Sequence, residues 1–294
     1  MKILVTGANG FIGAWTVRRL LQEGHAAVAL DLQPPGPLVR RLLGEQAGAL
    51  DWRLGDVSER ATVDVALAGC DSVVHLAGVL TPFCQMQPVR GAMINLVGTL
   101  HVFEAARSLG LKNVLYASSA GVYGPAHGDF PEPTTHYGAF KLAAEGCARA
   151  YWRDAGIASL GLRPFVVYGP GREVGASAGI SLACEAAAQG RSYMIPFSGP
   201  AGMVYVEDVV EVILAGLSQP LAGAHVLNLV GDVQPPEAAI AEIRRHVPQA
   251  QLNSGGEPLQ LSPDIAVGDA SILFSHLRTT PLSEGIARTL AHYR

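Results

Sequence analysis

A run of apolar residues that leads directly into three glycines constrains the fold of this chain more than any other feature. Residues 2–6 (KILVT) have the composition of a short buried strand, and Gly7, Gly10 and Gly13 follow at once. Residues 11–23 then show the apolar spacing of a helix. Three glycines alone are also compatible with a plain tight turn. In this order, however, they predict a turn at a helix N-terminus, where unpaired N–H groups and the helix dipole attract a phosphate.

The residues after the first helix favour a dinucleotide as the ligand. Residues 27–31 (AVALD) predict a second strand that ends in a carboxylate. That carboxylate lies about twenty residues beyond the glycines, the position at which a ribose is held. Asp31 would accept hydrogen bonds from the ribose hydroxyls and would repel a 2′-phosphate, which favours NAD over NADP. Arg40 and Arg41 could oppose this preference, but we expect them on a solvated helix face.

Two later segments extend the predicted cofactor site. Asp56 and Val57 follow the third predicted strand, where the carboxylate could reach the adenine amino group, and residues 75–78 (HLAG) end the fourth strand with small residues. Small residues there leave room for the cofactor. We interpret His75 as a satisfied core histidine. The predicted cofactor-binding residues in this half of the chain are Gly7, Gly10, Phe11, Ile12, Gly13, Asp31, Asp56, Val57, Leu76, Ala77 and Gly78.

Short apolar segments alternate with helical patterns through the first half of the chain. Such alternation predicts an α/β fold of the Rossmann type, a doubly wound parallel sheet with right-handed crossovers and helices on both faces. The predicted strands lie near residues 2–6, 26–31, 50–54, 72–76, 113–118 and 158–163.

From about residue 166 glycine and proline become frequent and the periodic segments become shorter. This change predicts a smaller, interleaved C-terminal substrate lobe. Residues 203–206 and the helical segment after them are expected to return to the main sheet. The predicted NAD-binding domain comprises residues 1–165 and about 204–230, and the predicted substrate lobe comprises about 166–203 and 231–294.

The overall composition argues against several classes of protein. The chain has 294 residues, of which 49% are hydrophobic and 16% charged, with a net charge of -4. This lacks the basic character of a nucleic-acid binder. No apolar run is long enough to cross a bilayer, and we expect no signal peptide and a cytoplasmic location. The four cysteines are scattered without CxxC spacing, so we expect core packing and no metal site.

The residues typical of proton transfer follow the fifth predicted strand. Ser119 lies at its carboxyl end, and Tyr137 and Lys141 open the next helix four residues apart, on one face. A free tyrosine, with a pKa of about 10, is a poor base at neutral pH, but a lysine cation and a positive nicotinamide ring favour the phenolate. Ser119 could hold the substrate oxygen while Tyr137 removes or supplies the proton. Singly these residues have ordinary interpretations as a turn and a surface pair, and their order favours catalysis.

At these positions the sequence resembles the extended short-chain dehydrogenase/reductases, the NAD-dependent epimerase/dehydratase family. The resemblance implies that Ser119 and Tyr137 act on the substrate oxygen and that Lys141 also hydrogen-bonds the nicotinamide ribose. It further implies that the backbone from Pro164 to Val167 flanks the carboxamide. The matching segments are residues 6–13 (TGANGFIG), Asp31, Asp56 with Val57, residues 75–78 (HLAG), 95–99 (NLVGT), Ser119, Tyr137, Lys141, 163–164 (RP), 168–170 (YGP) and 204–208 (VYVED).

Two motif positions depart from the family members that dehydrate sugar nucleotides. Those enzymes carry an Asp-Glu pair directly after the residue equivalent to Ser119, whereas this chain has Ala120 and Gly121. Neither residue can move a proton, which argues against the elimination of water. Asn95 also matches a family motif. We expect it to bridge neighbouring strand ends through its amide, and a direct catalytic role stays open.

Two further departures concern the substrate. Family members that act on nucleotide sugars commonly carry Asn and Arg where this chain has Val166 and Ala201. Neither aliphatic side chain can bind a diphosphate. Arg172 or Arg191 could replace the missing contacts from the less regular lobe. Without them, the sequence favours a small polyol, sugar acid or hydroxy-carbonyl compound.

The leading prediction is an NAD-dependent oxidoreductase that transfers hydride at a secondary alcohol or ketone carbon, or between a lactol and a lactone, in a small sugar-like or hydroxy-carbonyl substrate. The alternative is a nucleotide-sugar epimerase, such as a UDP-sugar 4-epimerase, that uses the same Tyr137 chemistry. A non-catalytic dinucleotide sensor is disfavoured by the intact Tyr137 and Lys141. The family resemblance also implies a homodimer through helices near 88–109 and 137–154.

Overall fold

The computed structural model describes residues 1–126, 128, 130–262, 264, 265, 273, 274, 277 and 279–294. The chain forms two compact units. The first comprises Met1–Val122, Pro131–Arg163 and Val210–Leu227. The second comprises Tyr123–Phe130, Pro164–Val209 and Asn228–Arg294.

The strands fall into one large and two small sheets. Their bounds are β1 Lys2–Thr6, β2 Ala26–Asp31, β3 Asp51–Leu54, β4 Ser72–His75, β5 Asn113–Ala117, β6 Ala158–Pro164, β7 Val166–Tyr168, β8 Tyr193–Ile195, β9 Ala201–Tyr205, β10 Ala224–Leu229, β11 Asp232–Gln234 and β12 Leu252–Ser254.

The helices connect these strands. Their bounds are α1 Phe11–Gln22, α2 Pro37–Leu43, α3 Arg60–Leu67, α4 Thr81–Met86, α5 Pro88–Ala92, α6 Gly98–Leu109, α7 His136–Ala155, α8 Gly179–Ala188, α9 Val206–Ser218, α10 Pro236–His246 and α11 Leu282–Tyr293. None of these helices has the length and apolarity needed to cross a membrane.

The main sheet has seven strands in the order β10-β6-β5-β4-β1-β2-β3. All five pairings among β1 to β6 are parallel. The predicted Rossmann-type fold is therefore confirmed. Strand order reverses beside β1, which pairs with β2 on one side and with β4 on the other. In sheets of this order, ligands bind at the carboxyl ends of the strands flanking that reversal.

The central strands are apolar on both faces because helices cover both. Ile3, Leu4 and Val5 of β1 and Val73 and Val74 of β4 are fully buried. On one face, Phe103 of α6 stacks on a tyrosine of α7 and meets the edge of another in β5. This packing fixes α6 and α7 against β5, and so positions the segments that follow β4 and β5.

One predicted strand lies in a different sheet from the one expected. Residues 203–206 are expected from the sequence to return to the main sheet, but β9 pairs with β7 in parallel and with β11 in antiparallel register. The strand that joins the main sheet is β10, beside β6. All five residues of β9 are buried, so its apolar pattern indicates a core strand without identifying its partner.

The long helix predicted near residues 88–109 is interrupted by a wider turn. α5 leads into a π-helical turn, Met93–Val97, and α6 continues from Gly98. Such turns are often found at functional sites. Here the turn contains Asn95, which is completely buried.

Candidate active site

The glycine-rich turn between β1 and α1 is closed by its own backbone. Gly10 N–H donates to the Gly7 carbonyl (2.9 Å). A Cβ atom on Gly13 would overlap that carbonyl, so only glycine lets α1 begin this close to β1. Gly10 is the N-cap of α1 and provides no side-chain cap, and Phe11 and Ile12 form the first turn directly after it. This helix N-terminus is therefore suited to an anion.

The same turn lies against the end of β4, where the strand order reverses. Gly7 has a φ of +69°, and a Cβ atom there would lie 2.7 Å from the Ala77 nitrogen. Ala77 N–H donates to Thr6 Oγ1 (3.1 Å), and Leu76 N–H donates to the Thr6 carbonyl (3.2 Å). The turn and the segment after β4 therefore approach so closely that any larger residue at position 7 would overlap the Leu76 and Ala77 main chain.

The predicted ribose carboxylate is held against the glycine-rich turn. Asp31 Oδ2 accepts from Asn9 N–H (2.9 Å), and Oδ1 accepts from Leu32 N–H (2.8 Å). The Asn9 side chain also spans from the turn to the segment after β2, because Nδ2 donates to the Gln33 carbonyl (3.0 Å) and Oδ1 accepts from Gly36 N–H (2.7 Å). Asn9 thus fixes the distance between the glycine-rich turn and Asp31.

Asp56, predicted to reach the adenine, follows β3 and is restrained by two partners. Its Oδ1 accepts from Ser58 N–H (2.8 Å), and its Oδ2 pairs with Arg90 Nη2 on α5 (3.0 Å). The neighbouring Val57 carbonyl is 3.0 Å from His101 Nδ1. Helices α5 and α6 therefore hold this segment in place.

His75 is buried and hydrogen-bonded on both ring nitrogens. Thr99 Oγ1 donates to the Asn95 carbonyl (2.8 Å), so His75 Nε2 donates to Thr99 Oγ1 (3.1 Å). Nδ1 then accepts from Thr6 Oγ1 (2.7 Å). Burial, and secondarily the charge of Lys141, lowers the pKa of His75 to about 3. The neutral ring ties β1 and β4 to α6, as the interpretation of a core histidine requires.

Asn95 joins the segment after β4 to α4. Its Oδ1 accepts from Val79 N–H (3.1 Å), and its Nδ2 donates to the Val79 carbonyl (3.0 Å) and lies 3.2 Å from Cys84 Sγ. The expectation that this amide bridges two strand ends is therefore wrong. A Cβ atom on Gly78 would lie 2.6 Å from Asn95 Oδ1, so this small residue makes room for the amide.

Ser119 and Tyr137 meet across Gly121. Gly121 N–H donates to Ser119 Oγ (3.0 Å), which leaves the serine proton available to a substrate oxygen. A Cβ atom on Gly121 would lie 3.2 Å from Ser119 Oγ and 3.6 Å from Tyr137 Cδ1. Gly138 in turn packs its Cα against the Gly121 carbonyl, and its N–H donates to Thr135 Oγ1, the N-cap of α7 (3.1 Å). The capped N-terminus of α7 therefore places the Tyr137 ring close to Ser119.

Lys141 is buried one helical turn after Tyr137. Its Nζ donates to the Ala117 carbonyl at the end of β5 (2.7 Å) and lies 5.7 Å from the centroid of the Tyr137 ring. Burial lowers the pKa of Lys141 to about 8, against the opposing effects of Cys84 and Glu145. The lysine thus carries its charge beside the tyrosine at neutral pH.

The other predicted cofactor contacts lie further along the chain. Pro164 is the last residue of β6, and Val167 lies in β7, where it pairs with Val204. Val166 and Ala201 are each 1% exposed, within β7 and β9. Neither side chain presents a donor to a ligand.

The two arginines considered as replacements have partners of their own. Arg172 Nη2 donates to Ser177 Oγ (3.1 Å). Arg191 is exposed, donates twice to Gln189 Oε1 (2.9 and 2.6 Å) and lies 3.7 Å from Glu185.

Comparison with known proteins agrees with this arrangement. Residues 3–229 match the NAD dependent epimerase/dehydratase family. The chain belongs to this family.

Members of the NAD dependent epimerase/dehydratase family align with nearly the whole chain. UDP-glucose 4-epimerase of Mycolicibacterium smegmatis is 30% identical over 100% of this chain and 99% of its own length. The crystal structure of Thermus thermophilus UDP-glucose 4-epimerase in complex with NAD has a TM-score of 0.82 at 25% identity, covering 100% of this chain and 99% of that one. MoeE5 in complex with UDP-glucuronic acid and NAD has a TM-score of 0.83 at 28% identity, covering 99% and 98%.

NAD is the cofactor of the family, and the residues of this chain fit it. The uncapped N-terminus of α1 after Gly10 would hold the pyrophosphate, and Asp31 would accept from the ribose hydroxyls. Among the described residues, no group of three or more His, Cys, Asp or Glu side chains is placed to hold a metal ion.

Some residues that organise the site are absent from the sequence-based set. Asn9, Arg90 and Glu145 each hold a predicted site residue or its neighbour through a polar contact. Asn9 lies inside the glycine motif, and Glu145 follows Lys141 by one helical turn, so both positions carry a local signal. Arg90 carries no local sequence signal, because its partner Asp56 lies 34 residues away.

Proposed function

We propose that this protein is an NAD-dependent oxidoreductase that acts at a secondary alcohol or ketone carbon, or at a lactol or lactone carbon, of a small sugar-like or hydroxy-carbonyl substrate. The observation that carries the proposal is the convergence of Ser119, Tyr137 and Lys141, with Lys141 Nζ 2.7 Å from the Ala117 carbonyl and 5.7 Å from the Tyr137 ring. Bound NAD would supply the hydride acceptor or donor.

The three side chains have distinct roles in this proposal. Ser119 donates a hydrogen bond from its hydroxyl to the substrate oxygen, because its own oxygen already accepts from Gly121 N–H. Tyr137 removes the hydroxyl proton during oxidation and returns it during reduction. The Lys141 ammonium stabilises the negative charge that develops on the Tyr137 oxygen, in a buried position where that attraction is weakly screened.

The residues beside Ser119 argue against the elimination of water. A side chain at position 121 would point toward Ser119 Oγ and the Tyr137 ring, which is where an acid or base could act. This chain has glycine there and a buried alanine at position 120. Proton transfer at the site is therefore assigned to Tyr137 alone.

Val166 and Ala201 support a small substrate. Where family members that act on nucleotide sugars commonly carry Asn and Arg, this chain has two aliphatic residues that are packed inside β7 and β9. Replacing a guanidinium by a methyl group removes a strong contact to a diphosphate. Exposed Arg191 is bound to Gln189, which gives it a structural partner already.

The proposal is tested by incubating the enzyme with NAD and a panel of polyols, sugar acids and hydroxy-ketones, with NADH absorbance as the readout. Tyr137→Phe should lower turnover at least 100-fold and leave the dissociation constant for NAD within about twofold. Tyr151→Phe is the matched control, because Tyr151 lies on the same helix and its hydroxyl contacts Glu104. Equal turnover in wild type and Tyr137→Phe would contradict the proposal.

A nucleotide-sugar 4-epimerase is the second candidate. The 30% identity to UDP-glucose 4-epimerase across 100% of this chain supports it. Such an enzyme would retain NAD through purification and would interconvert UDP-glucose and UDP-galactose, visible by NMR of the anomeric proton, without net formation of NADH. Formation of NADH from added NAD and a small alcohol, with no UDP-sugar conversion, would favour the first candidate.

We also propose that a second copy of the chain covers an apolar stripe on the helices around the π turn. Met86, Val89 and Met93 are 74%, 78% and 40% exposed. Met86 is the last residue of α4, and Val89 and Met93 lie one turn apart in α5 and the π turn. Large apolar side chains in one patch are uncommon on a monomer. Phe140 on α7 is also partly exposed. A symmetric pairing of these helices would bury the stripe.

A further inference from the structure

A buried carboxylate lies directly behind the proposed catalytic residues. Glu145 on α7 has no exposed surface, and its Oε1 accepts from Ser118 Oγ (2.5 Å) and from Arg163 Nε (2.7 Å). Its Oε2 accepts from Arg163 Nη2 (2.5 Å), which completes a two-pronged ion pair. A buried carboxylate is costly unless it is paired and hydrogen-bonded in this way.

The partners of Glu145 are adjacent to the residues that would perform the chemistry. Ser118 immediately precedes Ser119, and the Ala117 carbonyl before it accepts from Lys141 Nζ. Lys141 and Glu145 are one turn apart on α7, so two successive turns of this helix bind two successive residues at the end of β5. These contacts set the position of Ser119 relative to α7.

Arg163 adds a third element to this arrangement. It lies near the end of β6, the strand beside β5, and reaches across to the same carboxylate. Glu145 therefore joins α7, the end of β5 and the end of β6 at one point. A side chain that only filled space in the core would need no such contacts, whereas Glu145 accepts three charge-assisted hydrogen bonds.

We propose that Glu145 is a positioning residue for the reaction: through Ser118 and Arg163 it fixes Ser119 and Lys141 relative to each other. This inference rests on the proposed function for the roles of Ser119 and Lys141. The charge effect is a separate matter: the Glu145 carboxylate, four residues after Lys141 on α7, raises the pKa of Lys141, after the larger effect of Cys84. The titratable groups that face Lys141 are Tyr137 and Glu145 on its own helix, Cys84 on α4 and His75 at the end of β4.

The charge effect can be measured without any substrate. The chain contains three lysines, Lys2, Lys112 and Lys141, so protein labelled with ¹³Cε-lysine gives three signals, and Lys141→Arg identifies the relevant one. Because the Glu145 charge raises the pKa of Lys141, the Lys141 titration midpoint in Glu145→Gln should move to lower pH. An unchanged midpoint in the folded variant would overturn the charge effect.

The positioning effect is measured by turnover. Ser118→Ala removes one contact and keeps the ion pair, so we expect kcat to fall about tenfold while KM and the dissociation constant for NAD stay within twofold, and Ser118→Thr to restore most of kcat. Ser159→Ala is the matched control, because the buried Ser159 hydroxyl on β6 has no hydrogen-bond partner among the described residues. Equal kcat in Ser118→Ala and Ser159→Ala would overturn the positioning role.

These readouts separate the two proposals. Absence of NAD-linked turnover in the wild-type protein would contradict the proposed function, while the Lys141 titration would still decide the effect of Glu145. If Glu145→Gln does not fold, the same titration in Ser118→Ala remains available. This variant keeps the carboxylate and adds no lysine, so the Lys141 midpoint should stay at the wild-type value, and a shift would contradict the assignment of the effect to the Glu145 charge.

Discussion

At the scale of single residues, position 7 requires glycine for two reasons: its backbone is left-handed, and its neighbours leave no space for a Cβ atom. Gly7 and Gly24 have similar φ values, +69° and +77°, but only Gly7 has atoms within 4 Å of a Cβ position. Gly24→Ala should therefore lower the free energy of unfolding by only about 1 kcal/mol, the cost of left-handed backbone. Gly7→Ala should cost roughly 1–3 kcal/mol more, because its Cβ would press on Ala77.

Urea denaturation of both variants measures this difference, and isothermal calorimetry measures NAD binding. Gly7→Ala should lose most of its NAD affinity, whereas Gly24→Ala should bind NAD like wild type. Equal losses of stability in the two variants would mean that crowding at Ala77 has no role.

The buried His75 should make the fold acid-sensitive. Its pKa is about 3 in the folded protein, against about 6.5 when unfolded, so its stabilising effect is complete above pH 6.5 and is lost as the pH falls toward 3. Over that range the free energy of unfolding should fall by roughly 1 kcal/mol per pH unit from this group alone. Acid titration of the free energy of unfolding should show a shallower slope for His75→Gln than for wild type, and equal slopes would contradict this prediction.

Residue-level prediction from sequence works where the chemistry is local. The position of Asp31 at the end of β2 could be predicted because a strand and a fixed spacing lead to it, and its partner Asn9 lies within the glycine motif. The pairing of Arg90 with Asp56 could not be predicted, because it depends on how α5 packs beside the end of β3. Exposed ion pairs of this kind add little to stability and leave no pattern in the sequence.

At the scale of elements, the start of α7 governs the geometry of the proposed base. Thr135 caps the helix by accepting from Gly138 N–H, and Tyr137 lies in the first turn. Thr135→Ala should lower the free energy of unfolding by about 1 kcal/mol, and Thr135→Ser should restore it. We expect kcat to follow the same order, since fraying of the first turn moves Tyr137. Denaturation curves and turnover that do not change in Thr135→Ala would contradict this.

The strands of the main sheet were predictable because buried parallel strands have continuous apolar sequences. β1 and β2 occupy the predicted residues, and β3 to β6 differ from prediction by one residue at an end. The partner of β9 was not predictable, because burial on both faces is the same in either sheet. The π turn at Asn95 was also not predictable, since residues 93–97 continue an ordinary helical pattern.

At the scale of the whole molecule, the exposed stripe at Met86, Val89 and Met93 should determine oligomeric state. Val89→Glu places a charge in the proposed interface and should convert a dimer to a monomer in size-exclusion chromatography with light scattering. Val65→Glu is the control, because Val65 is 69% exposed on α3, outside the stripe. A wild-type protein that elutes as a monomer would contradict the proposed dimer.

The main sheet cannot be completed until late in synthesis on the ribosome, because its edge strand β10 follows most of the other strands in the sequence. The last segment of the first unit, Val210–Leu227, is synthesised only after Pro164–Val209 of the second unit. Gly216 of α9 packs on Leu115 and Leu160, and β10 then covers the outer edge of β6. Until those residues emerge, a nascent chain presents an open, apolar strand edge, the feature that chaperones protect from association.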